Sequence, residues 1–139
     1  MRRTVAIGGF MATGKSTVGA LLADRLSRPF VDLDREIAAR YGDIAAQFRR
    51  EGEAAFRARE TEMLARRVAG APCVLATGGG AWVSEENHRW LSSCWRVVLT
   101  APLDVLRARL GRSEDRPLWD ASVASRWEDR QAAYGRADA

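Results

Sequence analysis

Thr4-Val-Ala-Ile7, then Gly9-Phe-Met-Ala-Thr-Gly14-Lys15-Ser16, then Thr17-Val-Gly-Ala-Leu-Leu-Ala-Asp-Arg-Leu26 is the stretch whose reading decides the fold. The short β-branched, apolar run predicts a strand, and the apolar spacing after residue 16 predicts a helix. The residues between them match GxxxxGK[ST] in full. A loop of this kind turns its backbone N–H groups inward at a helix N-terminus, where they cradle the β- and γ-phosphates of a nucleotide. Lys15 then reaches the transferring phosphate, and the Ser16 hydroxyl ligates Mg²⁺. Gly9, Ala12, Thr13, Gly14, Lys15, Ser16 and Thr17 are the nucleotide-binding set expected from this loop, residues 9–16 with the first helical residue after it. A nucleoside triphosphate is implied, while the acceptor of its phosphate is not.

Working outward, the chain has 139 residues, of which 47% are hydrophobic and 29% charged, so it is long enough for one domain with a real core and too short for two. That balance excludes disordered, collagen-like and disulfide-scaffold classes. The apolar runs are one short strand long, and Met1-Arg2-Arg3 leads directly into the first strand, so neither a membrane span nor a signal peptide is expected. The expectation is a soluble cytoplasmic protein. Cys73 and Cys94 lie in or beside apolar segments without CxxC spacing and read as packed thiols. The 22 basic and 18 acidic residues give a net charge of +4, scattered without the clustered stripe of a nucleic-acid binder. Among those basic residues Lys15 is the single lysine and all the rest are arginine, so the compact ammonium is kept for the loop.

Past Arg28-Pro29, Phe30-Val31-Asp32-Leu33-Asp34 predicts a second strand ending in two carboxylates, at the strand end where open α/β sheets bind ligands. Residues 35–69 predict about three helices, interrupted near Tyr41-Gly42-Asp43 and Glu51-Gly52-Glu53. Cys73–Thr77 predicts a third strand running into Gly78-Gly79-Gly80, and Trp95–Thr100 a fourth. Helical signals return at Leu103–Leu110 and from Ser122 to Tyr134, on either side of a polar loop from Gly111 to Trp119. Strands separated by helices predict a parallel sheet with right-handed crossovers. Glu53, Arg57 and Glu60 share one helical face, which is equally the pattern of a surface ion-pair ladder.

Taken in order, these pieces resemble the shikimate kinases, small P-loop kinases related to the nucleoside monophosphate kinases. The matching residues after the phosphate loop are Asp32-Leu-Asp34 with Glu36-Ile37, Gly52-Glu53-Ala-Ala-Phe56-Arg57-Ala-Arg-Glu60, Ala76-Thr77-Gly78-Gly79-Gly80-Ala81, Arg116-Pro117-Leu118, and Arg130 with Tyr134. The resemblance covers nearly the whole chain. It implies a three-layer α/β/α P-loop kinase fold spanning residues 1–139 as one domain, with acceptor-binding helices over about 35–69 and a mobile lid over about 111–119.

The resemblance also implies roles. Asp34 orients the acceptor hydroxyl and takes its proton, while Asp32 stands beside the Mg²⁺ and its waters. Arg57 and Arg130 grip the acceptor's carboxylate from two sides, and Glu60 holds Arg57 in place. Gly78, Gly79 and Gly80 let backbone amides approach the acceptor and the γ-phosphate. Arg116 swings over the γ-phosphate as the lid excludes water, and Arg109 stacks on adenine. The catalytic set is then Asp34, Lys15 and Arg116, and the metal set Ser16 and Asp32.

The implied activity is transfer of the ATP γ-phosphate to the 3-hydroxyl of shikimate, with Mg²⁺, by a monomer that needs neither nucleic acid nor membrane. Gluconate or a nucleoside monophosphate as acceptor, and a nucleotide-binding relative without catalysis, are the competing readings. Two departures stand out. Ala12 occupies a position where the family's loops commonly carry a third glycine. The family also continues beyond the Arg130/Tyr134 helix with a strand and a closing helix, so the expectation is either a fragment or a member that lacks them. His88 and the five tryptophans are read as packing residues.

Overall fold

The computed structural model describes residues 3–9, 14–102, 104, 105, 108, 130, 131 and 133–139. Four strands, β1 (Val5–Gly9), β2 (Phe30–Asp32), β3 (Val74–Ala76) and β4 (Trp95–Leu99), form one sheet in the order β2-β3-β1-β4. Every pairing is parallel, with Ile7 opposite Ala76 on one side and Val97 on the other. The helices between them are α1 (Lys15–Leu26), α2 (Leu33–Tyr41), α3 (Ile44–Ala69) and α4 (Glu85–Leu91).

Strand β1 is buried at all five positions, as a central parallel strand covered on both faces must be. Its period of two sorts the core into layers. Val5 and Ile7, with Val74, pack against Ala23 and Leu22 of α1. Ala6 and Leu75 face the opposite way, into a larger cluster with Leu33, Ile37, Phe56, Leu64 and Leu91 from α2, α3 and α4. The result is a parallel sheet between two helical layers, the three-layer α/β/α arrangement that the family resemblance implied.

Helix boundaries follow from local chemistry. Gly14 stands at the N-cap of α1 with φ 93°, a left-handed conformation in which a Cβ is strained. The Asp32 carboxylate accepts from the Arg35 amide and so starts α2 at Leu33. This moves the boundary relative to the sequence expectation: β2 ends at Asp32, and Asp34 lies in the first turn of α2 rather than on a strand. Asp43 caps α3 in the same way, accepting from the Ala46 amide. Inside α3, Gly52 has φ 84° and ψ 172°, which divides it into two helical pieces where the sequence predicts an interruption. Among the described residues no helix is long and apolar enough to cross a membrane. Cys73 and Cys94 are buried free thiols.

Candidate active site

An open cleft of about 1110 Å³ runs across the C-terminal ends of β1, β2 and β3. Parallel sheets expose their strand ends there, together with the N-termini of the helices that follow, so backbone donors and side chains from distant segments converge. Gly14, Lys15, Ser16, Thr17, Asp32, Asp34, Arg57, Glu60, Gly78, Gly79, Gly80 and Arg130 all line this one cleft. The sequence therefore singled out residues up to 116 positions apart that fold to a common wall. Ala12, Thr13, Arg109, Arg116 and the expected lid at 111–119 lie outside the described residues.

On the phosphate side, Lys15 Nζ donates to the Gly9 carbonyl at 2.7 Å, which holds the ammonium over the end of β1. Ser16 Oγ donates to Asp32 Oδ2 at 2.9 Å. A hydroxyl and a carboxylate thus meet at the entrance to the loop. This is a hard-oxygen donor pair of the kind that supplies the few protein contacts Mg²⁺ accepts while keeping water and phosphate oxygens as its other ligands. Asp32 does two jobs, since its other oxygen caps α2.

The acceptor side is built around α3. Arg57 Nη1 donates to Glu60 Oε1 at 2.9 Å, and its Nε and Nη2 reach Glu53 Oε1 at 3.4 Å. Glu60 is fully buried, so this is no surface ladder. Burial pushes the Glu60 carboxyl above the usual range; the Arg57 charge and hydrogen bond pull it back, and the nearby Asp34 charge adds to the rise. Burial also works against the charge on Arg57, but Glu60 and Glu53 outweigh it and its pKa is raised. Arg57 is therefore a permanent, oriented cation at the rim of the cleft.

The glycines fit around these side chains. A Cβ on Gly78 would lie 2.8 Å from Asp34 Oδ1 and 3.2 Å from Glu60 Oε2. On Gly80 it would lie 2.5 Å from Arg57 Nη2. Both contacts are tighter than packed atoms tolerate, so the triple glycine is the space in which two carboxylates and a guanidinium sit. Arg130 is buried beside Tyr134, near enough to Glu60 to lower that carboxyl's pKa.

Three side chains to which the sequence reading assigned no part in the site, Tyr134, Asn87 and Trp82, hold the glycine loop in place. The Tyr134 hydroxyl donates to the Gly79 carbonyl, and burial pushes its pKa up to about 12, with Arg130 acting in the opposite sense, so it stays a donor. Asn87 Nδ2 donates to the Ala81 carbonyl at 2.7 Å, while its own carbonyl accepts from Thr61. Trp82 Nε1 donates to Thr77 Oγ1 at 2.9 Å. The signal for these was thin: a tyrosine one helical turn after Arg130, and an asparagine in the turn opened by the Ser84 cap.

The family model for shikimate kinase matches residues 11–139. The shikimate kinase of Ruegeria pomeroyi is 43% identical over 148 aligned positions, spanning 99% of this chain and 74% of the relative. In structure, the chain is similar to the shikimate kinase of Acinetobacter baumannii in complex with shikimate, with a TM-score of 0.88, 34% identity, and coverage of 97% of this chain and 79% of that one. The shikimate kinase of Bacteroides thetaiotaomicron gives a TM-score of 0.89 at 30% identity over 98% of this chain and 84% of its own.

Proposed function

The chain belongs to the shikimate kinase family, and from that premise we propose that it transfers the γ-phosphoryl group of ATP to the 3-hydroxyl of shikimate, giving shikimate 3-phosphate and ADP. The observation that carries this reading is the common wall: Asp34, Arg57, Gly78–Gly80 and Arg130 line the same cleft as Lys15 and Ser16. A phosphate-binding half and an anion-reading half thus face one space.

Each side chain then has a task that its position supports. Arg57, already oriented by Glu53 and Glu60, and Arg130, which lines the same cleft, receive the carboxylate of shikimate. Anchoring that end sets the ring so that its 3-hydroxyl approaches Asp34, which orients the hydroxyl and takes its proton as the oxygen attacks phosphorus. Lys15 and the loop amides neutralise charge on the phosphoryl oxygens, so most of the rate comes from positioning and electrostatics. Ser16 and Asp32 would hold Mg²⁺, which when bound neutralises the phosphates of ATP. Arg116 and the segment 111–119 complete the charge clamp and close off water, Ala12 and Thr13 belong to the phosphate cradle, and Arg109 packs on the adenine. The protein works as a cytoplasmic monomer of one domain.

The deciding assay is ADP release from Mg²⁺-ATP by the purified chain, with shikimate, with gluconate as a parallel acceptor, and with neither. Shikimate-dependent release that gluconate does not reproduce is the expected result. Equal release with gluconate would move the acceptor assignment, and ATP binding without release on any acceptor would make the chain a nucleotide-binding relative.

A further inference from the structure

The side chain of Trp82 is completely buried and packs against the end of β1 and the residue that opens the glycine loop. Its Nε1 donates to Thr77 Oγ1 at 2.9 Å, and that hydroxyl in turn donates to the Ile7 carbonyl at 3.0 Å. The Thr77 amide donates to the same carbonyl. Ile7 and Gly8 are the last stretch of β1 before Gly9 opens the phosphate loop. The indole is also packed against Gly8, where a Cβ would come within 2.4 Å of the ring. On its other side the ring meets Tyr134 edge-on, with centroids 6.2 Å apart and planes at 73°. Tyr134 is the residue whose hydroxyl holds the Gly79 carbonyl.

We propose that Trp82 is a positioning residue that locks the end of β1, and with it the phosphate loop, to the glycine loop that faces the acceptor. Filling space requires only an apolar ring of the right volume. This indole also spends its one donor on a threonine hydroxyl already committed to β1, in a dry interior where such a bond is directional and costly to lose. Through that bond and the Gly8 contact, a shift of the glycine loop moves the start of the phosphate loop with it. Phosphoryl transfer depends on the distance between groups held by these two loops, so the lock acts on the chemical step rather than on the binding of either substrate.

The proposal deepens the shikimate kinase reading in its kinetic arm, and a second arm is independent of activity. Trp82→Phe keeps an aromatic ring and removes the donor; Thr77→Val keeps the indole and removes the hydroxyl. Each is expected to lower kcat about fivefold, the size of one lost buried hydrogen bond, with both KM values within about twofold. The double variant should lose no more than either single one, and Thr77→Ser should restore the rate. Without any substrate, amide exchange should quicken in the Thr77–Trp82 peptide and also in Val5–Gly9 when the lock is broken. Exchange that quickens only around Trp82, or folded variants with normal kcat, would overturn the proposal and leave Trp82 a packing residue. If Trp82→Phe does not fold, Thr77→Val decides alone. If the unaltered chain shows no shikimate-dependent ADP release, the functional reading falls, and the exchange measurement still judges the lock.

Discussion

The two halves of the cleft are made in opposite ways. The phosphate half is centred on one step of chain, β1 to α1, joined by Asp32 from the end of β2; in the proposed reading it binds through glycines, backbone amides and Lys15, whose ammonium folds back only six residues to the Gly9 carbonyl. The acceptor half is assembled from four separate segments: Asp34 on α2, Glu53, Arg57 and Glu60 on α3, the loop after β3, and Arg130 near the end of the chain. The first works through backbone that any sequence could supply once the glycines allow it. The second works through side chains that must be buried, charged and mutually aligned, which costs desolvation and is recovered only when the partners are all present. On the proposed function, phosphate chemistry is held mostly by one local segment and selection of the acceptor is distributed over the fold.

This contrast can be broken from either side. The largest effect is expected for Lys15→Ala, which should lower kcat by about 10³-fold, the upper size of a lost transition-state contact. Because the phosphate half serves any acceptor, calorimetric titration with shikimate should show little change in its affinity; a large loss would mean that the halves are not separable. Asp34→Asn should reduce turnover by about 10²-fold or more while nucleotide binding stays normal, as expected for a lost proton acceptor. Near-normal turnover would remove Asp34 from the mechanism.

Smaller changes probe the acceptor half alone. Arg57→Ala should raise the shikimate KM by roughly 10- to 100-fold, the range for a lost charge-assisted hydrogen bond, and leave the ATP KM alone. Gly80→Ala should raise the shikimate KM by about tenfold, since its methyl group would displace the Arg57 guanidinium. An effect of either on ATP rather than shikimate would sink the assignment. The smallest concerns Glu60. Its carboxyl holds a proton more tightly in the folded chain than in the unfolded one, chiefly through burial. The folded state thus binds more protons over that window, and stability falls as pH rises from the ordinary glutamate range through the folded pKa. Glu60→Gln should flatten that fall, seen as a slope of Tm against pH that is shallower by on the order of a few degrees per pH unit. The same slope in both proteins would show that Arg57 keeps Glu60 ionised throughout.

Legibility in the sequence follows the same division. The strand, loop and helix from Thr4 to Leu26 could be read directly because a short apolar run, a complete GxxxxGK[ST] match and a helical apolar spacing follow one another without a break. Arg57 could be placed on a face with Glu53 and Glu60, but spacing alone favoured a solvated ladder, the usual fate of such charges. Only the burial of Glu60 under Gly78 distinguishes the two. Asp34 was read as the end of a strand running from Phe30. The Asp32 carboxylate caps the backbone two residues earlier than that reading suggests, a local hydrogen bond that outweighs the strand propensity of the run. Trp82 carried no signal beyond its size, since its partners Thr77, Ile7 and Gly8 lie on two other strands or their ends.

The contact between Gly8 and Trp82 also has an evolutionary consequence. The missing side chain at position 8 and the large one at position 82 are complementary volumes separated by more than seventy residues, so position 8 cannot gain a side chain while position 82 keeps its indole. Gly8→Ala should be deleterious in this chain and tolerated once position 82 carries a smaller residue. Substitutions at these two positions would then be inherited in pairs.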